Sequence, residues 1–212
     1  KFKCYTLDTG EGQDRKAAVE VAKFLGLELT SVKVQKEDII KALPTLIKNL
    51  AIFDVQLIAG AFLTYFISKA AYEDGLKVVL FGEGADEAFG GYGKYTRLLK
   101  SGSTETHIQK LMIKDQDELW LTHNNRVDSA SMATSIEARV PFQDSNIIAN
   151  ARQIPLKFKV DLNSRLKDKI LLRAIASRYL PNSIFNRPKI AISQGTSLLN
   201  LVFNAVDAVC PQ

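Results

Sequence analysis

Cysteine, histidine, methionine and tryptophan are scarce in this chain of 212 residues, numbering two, two, two and one. Cys4 and Cys210 stand near opposite ends, a poor basis for a disulfide framework, and favour a reducing, cytoplasmic setting. His107 and His123 match no metal-ligand spacing, and no Cys/His cluster supports zinc. There is no Gly-x-Ser-x-Gly elbow, which weighs against a serine hydrolase. Glycine and proline, at 12 and 6 residues, are too few for a collagen-like or low-complexity chain. No run of one charge sign occurs. Net charge is +5 from 28 basic and 23 acidic residues, scattered as on a solvated surface, so no nucleic-acid partner is expected. A basic pocket for phosphates stays open. The start, Lys1-Phe2-Lys3-Cys4, lacks the apolar segment of a signal peptide. It also lacks an initiator Met, as a processed or truncated piece of a longer protein would. The longest charge-poor stretch, Ala51–Ser68, is interrupted by Asp54, Gln56 and Thr64. It reads as a buried helix that falls short of a membrane span, so no membrane partner is expected.

What is present is 46% hydrophobic residues, enough for one sizeable core. The first third alternates strand and helix patterns. Lys3–Leu7 and Leu29–Val34 read as strands. Asp14–Gly26 carries an apolar stripe at Ala17, Ala18, Val21, Ala22 and Leu25, closed by Gly26 as a C-cap. Lys36–Asn49 is amphipathic, with a kink or late start at Pro44. Asp54 is placed to cap a long helix through Ala71, ended by the Asp74-Gly75 turn. Lys77–Phe81 (KVVLF) is the clearest strand, apolar enough to be central in a parallel sheet. This rhythm predicts an α/β fold: a doubly wound, mainly parallel sheet followed by a largely helical C-terminal half. Helices are expected over Glu105–Asp117, Ser129–Ile136, Ser145–Arg152, Leu166–Tyr179 and Ser197–Val209. Pro141, Pro155, Pro181 and Pro188 mark the breaks.

The most informative segment is Gly82–Tyr92, GEGADEAFGGY, directly after the KVVLF strand. Ligands of open α/β sheets bind beyond the carboxyl ends of strands. Glu83, Asp86 and Glu87 fall within five positions there. Gly82 and Gly84 permit tight backbone and close ligand approach. Clustered carboxylates repel, and Mg²⁺ with phosphate oxygens would offset that repulsion. An acidic helix N-terminus is the plainer alternative, with Asp86 and Glu87 complementing the helix dipole.

GEGADEAFGGY resembles the signature of the asparagine synthetase family's synthetase domain, an ATP-pyrophosphatase-type α/β fold. Arg126–Asp144, RVDSASMATSIEARVPFQD, is similar to the family's second signature, a Met-Ala pair ahead of an EARVPF-D run. Lys167–Lys189, KDKILLRAIASRYLPNSIFNRPK, resembles its K-x-x-L-R helix, Leu-Pro turn and Arg-Pro-Lys loop. The three stand in order over roughly residues 77–190. The resemblance implies one synthetase-like domain over 1–212, with an α/β nucleotide-binding portion over 1–100 and a helical portion over 101–212.

The resemblance also implies a chemistry. Family members are ligases of asparagine biosynthesis that adenylate a carboxylate with ATP, release pyrophosphate, and let ammonia attack the activated carbonyl to leave asparagine and AMP. Carried over position by position, Asp86 becomes the Mg²⁺-binding carboxylate, and Gly82, Gly84, Asp86, Arg139 and Lys189 the nucleotide-binding set. Glu83, Glu137 and Lys189 become the catalytic candidates. Glu83 stands where asparagine-forming members carry Glu and β-lactam-forming relatives carry Tyr. It would handle the amine or its proton. Glu87 would support the loop through hydrogen bonds. Lys189 would meet phosphate or the charge of the transition state; on sequence alone it reads as a surface lysine after Pro188. Glu137 and Arg139 read equally as substrate or phosphate contacts and as a buried ion pair. Asp144 is as good an N-cap as a site residue, and Arg173 and Arg187 are phosphate contacts or structural charges. ATP and Mg²⁺ are the implied cofactors. An aspartate-like carboxylate and ammonia, free or derived from glutamine by a glutaminase domain or subunit, are the implied partners. A homodimer is left open.

Two family features are missing from the 212 residues. The Ser-Gly-Gly-x-Asp-Ser loop, which cradles pyrophosphate through backbone N–H groups, does not occur. It lies upstream, in another chain, or has been lost, and without it these residues alone are expected to bind ATP poorly. No nucleophilic N-terminal Cys of a glutaminase half is present; Cys4 reads as a buried small hydrophobe. The alternative is a non-catalytic or partner-dependent synthetase-like subunit, or a ligase with a different acceptor.

Overall fold

The computed structural model describes residues 2–51 and 54–209; Cys210 lies outside them. In chain order the elements are β1 (Lys3–Asp8), α1 (Gln13–Leu25), β2 (Glu28–Lys33), α2 (Lys36–Leu50), α3 (Val55–Glu73) and β3 (Val78–Leu80). There follow α4 (Ala85–Phe89), α5 (Gly93–Lys100), α6 (Glu105–Asp117), α7 (His123–Met132) and β4 (Glu137–Arg139). The last are α8 (Ser145–Gln153), α9 (Ile170–Ala176), α10 (Asn182–Phe185), α11 (Ile192–Gly195) and α12 (Leu198–Val209). The α/β character expected from the sequence holds, with helix predominating. The chain divides into two compact units. The first comprises Lys1–Val79, Thr122–Arg139 and Ile190–Gln212; the second comprises Leu80–Leu121 and Val140–Lys189. The change of character near residue 100 falls at the end of α5, inside the second unit.

In the first unit β1 and β2 pair in parallel, from Lys3 opposite Glu28 to Asp8 opposite Lys33, with α1 as the crossover. Gly26 ends α1 in the left-handed conformation, its N–H bonding the Ala22 and Lys23 carbonyls. Gln35 and Asp38 form a reciprocal capping box at the start of α2, which runs through Pro44 without breaking. The Asp54 carboxylate accepts from the Gln56 and Leu57 N–H groups, at 2.8 and 2.9 Å, to start α3. Its length and hydropathy bring α3 within the minimum for a membrane span, so its polar residues alone do not argue against one. Burial does: Ala59, Ala61, Phe62 and Phe66 lie inside the core, with Leu7 of β1, Ile39 and Leu46 of α2, Ala130 of α7, and Leu198 and Val202 of α12. α3 and α7 cross where Gly60 leaves space; a Cβ there would stand 2.0 Å from Arg126 Nη1.

Four expectations are corrected. β3 is three residues long and, among the described residues, pairs only with β4, with Leu80 61% exposed, so KVVLF is not a central strand there. An apolar run marks a potential strand but does not supply neighbours on both edges. α7 begins at His123, not Ser129, because its buried stripe is Arg126, Val127, Ala130 and Ser131; the polar run 123–126 hid that phase. The helix expected over Leu166–Tyr179 shrinks to Ile170–Ala176. Cys4 is half-buried rather than enclosed.

The second unit has two small apolar clusters. Tyr95, Ile108, Met112, Leu156 and Val160 form one, and Ala88, Phe89 and Ala151 the other, with Phe142, Ile147 and Leu172 packed on it. α4 therefore sits with its Ala88–Phe89 end anchored, which fixes the loop that opens it.

Candidate functional site

The site is built on the glycine-and-carboxylate loop of the second unit. Gly84 caps α4 with φ +93°, and Gly90 closes it with φ +77°, both in the region that side chains disfavour. These two turns make α4 a five-residue spur. Neighbours press on it at each glycine. A Cβ on Gly84 would lie 2.6 Å from Gln143 Cγ, and one on Gly90 2.7 Å from Val160 Cγ2. Gly91 is tighter still: its Cβ would stand 1.8 Å from Asp86 Oδ1 and 3.0 Å from Asp86 Cα. Gly91 is thus required by space around the Asp86 carboxylate, and Gly84 and Gly90 by the side chains of Gln143 and Val160.

Each Asp86 oxygen is engaged by an ammonium group. Lys169 Nζ donates to Oδ1 at 2.9 Å and Lys189 Nζ to Oδ2 at 2.6 Å. The three side chains are 19%, 18% and 30% exposed, in the order Asp86, Lys169, Lys189. Burial pushes the Asp86 carboxyl up, but the charges and hydrogen bonds of Lys169 and Lys189 together outweigh it and hold it below the ordinary value. Lys169 occupies the left-handed region (φ 50°, ψ 37°) at the head of α9. For a residue with a Cβ this is strained backbone of the kind that clusters at functional sites. The Lys189 arm is fixed from behind: Arg173 donates to the Phe185 and Arg187 carbonyls, each at 2.8 Å, and to the Asp168 carboxylate at 2.7 Å. Arg173 is accordingly a structural charge. Just before Lys189, Arg187 and Pro188 line a cavity of about 280 Å³ with Arg165, Asn182, Ser183 and Asn186.

Glu87 points the other way. It is buried, and the Tyr92 hydroxyl donates to its Oε1 at 2.5 Å. Burial first, and then the charges of Glu87, Asp86 and Glu83, push the Tyr92 phenol far up. It is therefore a permanent donor. Gln116 Nε2 donates to the Glu87 carbonyl at 3.2 Å, and Arg152 Nε holds the Gln116 Oε1 at 3.0 Å. Glu87 thus supports the loop by hydrogen bonds, as expected. Glu83 is half-buried in the turn between Gly82 and Gly84.

The structure brings Lys189 to Asp86, whose loop also carries Gly82, Glu83 and Gly84. Glu137 and Arg139 belong to β4 of the first unit. They pair with each other at 2.7 Å, and their side chains are 57% and 60% exposed. The buried ion pair is therefore corrected: residues i and i+2 of a strand share a face, and this one meets solvent while Ile136 beside it is buried. Asp144 is the N-cap of α8, accepting from the Asn146 N–H at 2.9 Å. Sequence reasoning missed Lys169, although it opens the K-x-x-L-R string. Tyr92 was only the end of a quoted motif, and buried Lys159 carried no signal. Among the described residues no group of three or more His, Cys, Asp and Glu gathers as a metal centre. The donor set is one carboxylate with cationic neighbours, which suits a divalent cation sharing its shell with phosphate oxygens.

A helix-rich α/β chain with a glycine-bounded carboxylate beyond a strand end defines a class broader than one family. The asparagine synthase family profile matches residues 1–121 and 100–210. The chain is 31% identical to a putative glutamine-hydrolysing asparagine synthetase of Methanocaldococcus jannaschii, over 94% of this chain and 42% of that protein. It is 32% identical to asparagine synthetase B of Escherichia coli, over 86% and 32%. It is 30% identical to the glutamine-hydrolysing asparagine synthetase of Mesocricetus auratus, over 94% and 35%. The chain belongs to the asparagine synthase family. It spans about a third to two-fifths of the length of these relatives.

Proposed function

We propose that these residues are the amide-forming part of an ATP-dependent carbon–nitrogen ligase, converting aspartate to asparagine. Family membership and the names of the relatives support the overall reaction. The single observation that carries the site assignment is the Asp86 carboxylate between two ammonium groups beyond a strand end. An oxygen of the aspartate side-chain carboxylate attacks the α-phosphorus of ATP, and pyrophosphate leaves. Ammonia then attacks the acyl carbon and loses a proton, and AMP departs. Lys169 and Lys189 neutralise phosphate oxygens as charge moves onto the leaving group. Glu83, between two glycines on the same loop, accepts the proton shed by the attacking amine. Asp86 is the residue that would hold Mg²⁺, which when bound neutralises polyphosphate charge. Gly82 and Gly84 leave room for the nucleotide, and Glu137 and Arg139 contact substrate. The nitrogen is supplied as free ammonia or by hydrolysis of glutamine in a glutaminase domain or subunit.

The test is product analysis on the intact protein with ATP, aspartate and ammonia. Pyrophosphate, AMP and asparagine are expected in equal amounts. Asp86→Asn is expected to lower turnover by about a hundredfold or more, roughly 3 kcal/mol of transition-state stabilisation. Release of ADP and phosphate, or near-normal turnover by Asp86→Asn, would contradict the reading.

A further inference from the structure

The geometry points to a latch: Lys169 and Lys189 occupy both oxygens of Asp86 until a polyphosphate draws them off, so that divalent-cation and polyphosphate binding are positively coupled. This rests on the site assignment made above and adds its regulation. A divalent cation needs an oxygen lone pair of Asp86. Both oxygens already accept from ammonium groups, at 2.9 and 2.6 Å. The trio of side chains carries one negative and two positive charges. A cation arriving alone would have to break both pairs and then sit against two like charges at close range. A polyphosphate arriving alone meets the converse problem, since drawing the lysines away leaves Asp86 bare beside an anion in a largely buried setting. When both arrive, Lys169 and Lys189 turn to phosphate oxygens as Asp86 turns to the cation, and every charge keeps a partner. Coupling of this sort is reciprocal: whatever factor one ligand adds to the affinity of the other, it receives in return.

Two features confine the exchange to side-chain torsions. Arg173 pins the carbonyls of Phe185 and Arg187, so the backbone leading to Lys189 stays in place. The Ile170 N–H donates to the Lys159 carbonyl at 3.2 Å, which fixes the backbone just after Lys169. Lys169 itself sits in the left-handed region, a strained backbone for a residue with a Cβ.

Calorimetric titration of the intact protein with MgCl₂ alone and with pyrophosphate alone tests the latch, because it predicts opposite changes. In Lys169→Met, Mg²⁺ alone should bind about fivefold tighter or more, and pyrophosphate alone weaker. In Asp86→Asn, pyrophosphate alone should bind tighter and Mg²⁺ weaker. Lys169→Gly, which also removes the backbone strain, should repeat the Lys169→Met pattern and guards against a folding defect. Unchanged or weaker Mg²⁺ binding by both Lys169 variants would overturn the latch. Intact amide formation alongside that result would leave the ligase reading standing. Opposite shifts in a protein that forms no asparagine would support the latch and reject the ligase reading.

Discussion

The two units of the chain are held together by different forces. The first is organised around one apolar core drawn from β1, α2, α3, α7 and α12. Most of its ion pairs, such as Lys3–Asp74 and Glu137–Arg139, are peripheral. The second has smaller apolar clusters and buries or half-buries Glu87, Lys159, Asp86 and Lys169, where the first buries Arg126. Apolar burial is non-directional and tolerant of repacking. Polar pairs in low dielectric are directional and costly when one partner is lost. Charged groups held this way trade easy stability for fixed charge positions.

This contrast can be broken by substitution. The largest effect is expected from Gly91→Ala, whose methyl would collide with both the carboxylate and the backbone of Asp86. It should cost about 3 kcal/mol in denaturant unfolding and displace the carboxylate, so turnover should fall with it. Tyr92→Phe comes next. It deprives the buried Glu87 carboxylate of a hydroxyl donor and should cost about 2 kcal/mol. Lys159→Met should act in the opposite sense. Lys159 is buried, and desolvation alone lowers its pKa from the ordinary lysine value to about 8. At pH 7 both folded and unfolded chains hold the proton, so the folded state bears the full desolvation penalty. Between about pH 8 and the ordinary lysine value the folded chain has lost the proton and the unfolded chain has not, so stability rises with pH. Lys159→Met should therefore stabilise by about 2 kcal/mol at pH 7, and by less at pH 10, in parallel denaturant titrations. The smallest effect is expected in the first unit: Glu137→Gln breaks a solvent-exposed pair and should leave the melting temperature unchanged. If Glu137 contacts substrate as proposed, turnover will still fall. A lower melting temperature in Glu137→Gln with turnover intact would assign it to structure alone.

Sequence legibility followed the range of the interactions. Gly26, Asp54 and the α1 stripe act within a turn or two of chain, and each was readable. The neighbours of β3 and the start of α7 depend on residues far away in sequence, and no local pattern carries either. In the site, Asp86 and Lys189 were reached through the resemblance of three motifs. No local pattern says that their side chains meet across 103 residues. Lys169 was hidden for a similar reason, because its left-handed backbone and its reach to Asp86 are both tertiary facts. Nothing in the string Leu156-Lys157-Phe158-Lys159-Val160 marks Lys159 as buried, because its burial depends on the backbone turn there. The segment folds as a 3₁₀ turn over Leu156–Phe158, and a period of three puts Lys159 on the buried side with Leu156.

A crystal structure of the intact protein with magnesium pyrophosphate bears most directly on the role of Asp86. The account predicts the metal ion on an Asp86 oxygen, with Lys169 Nζ and Lys189 Nζ moved onto phosphate oxygens. Pyrophosphate bound elsewhere, with both lysines still on Asp86, would contradict it.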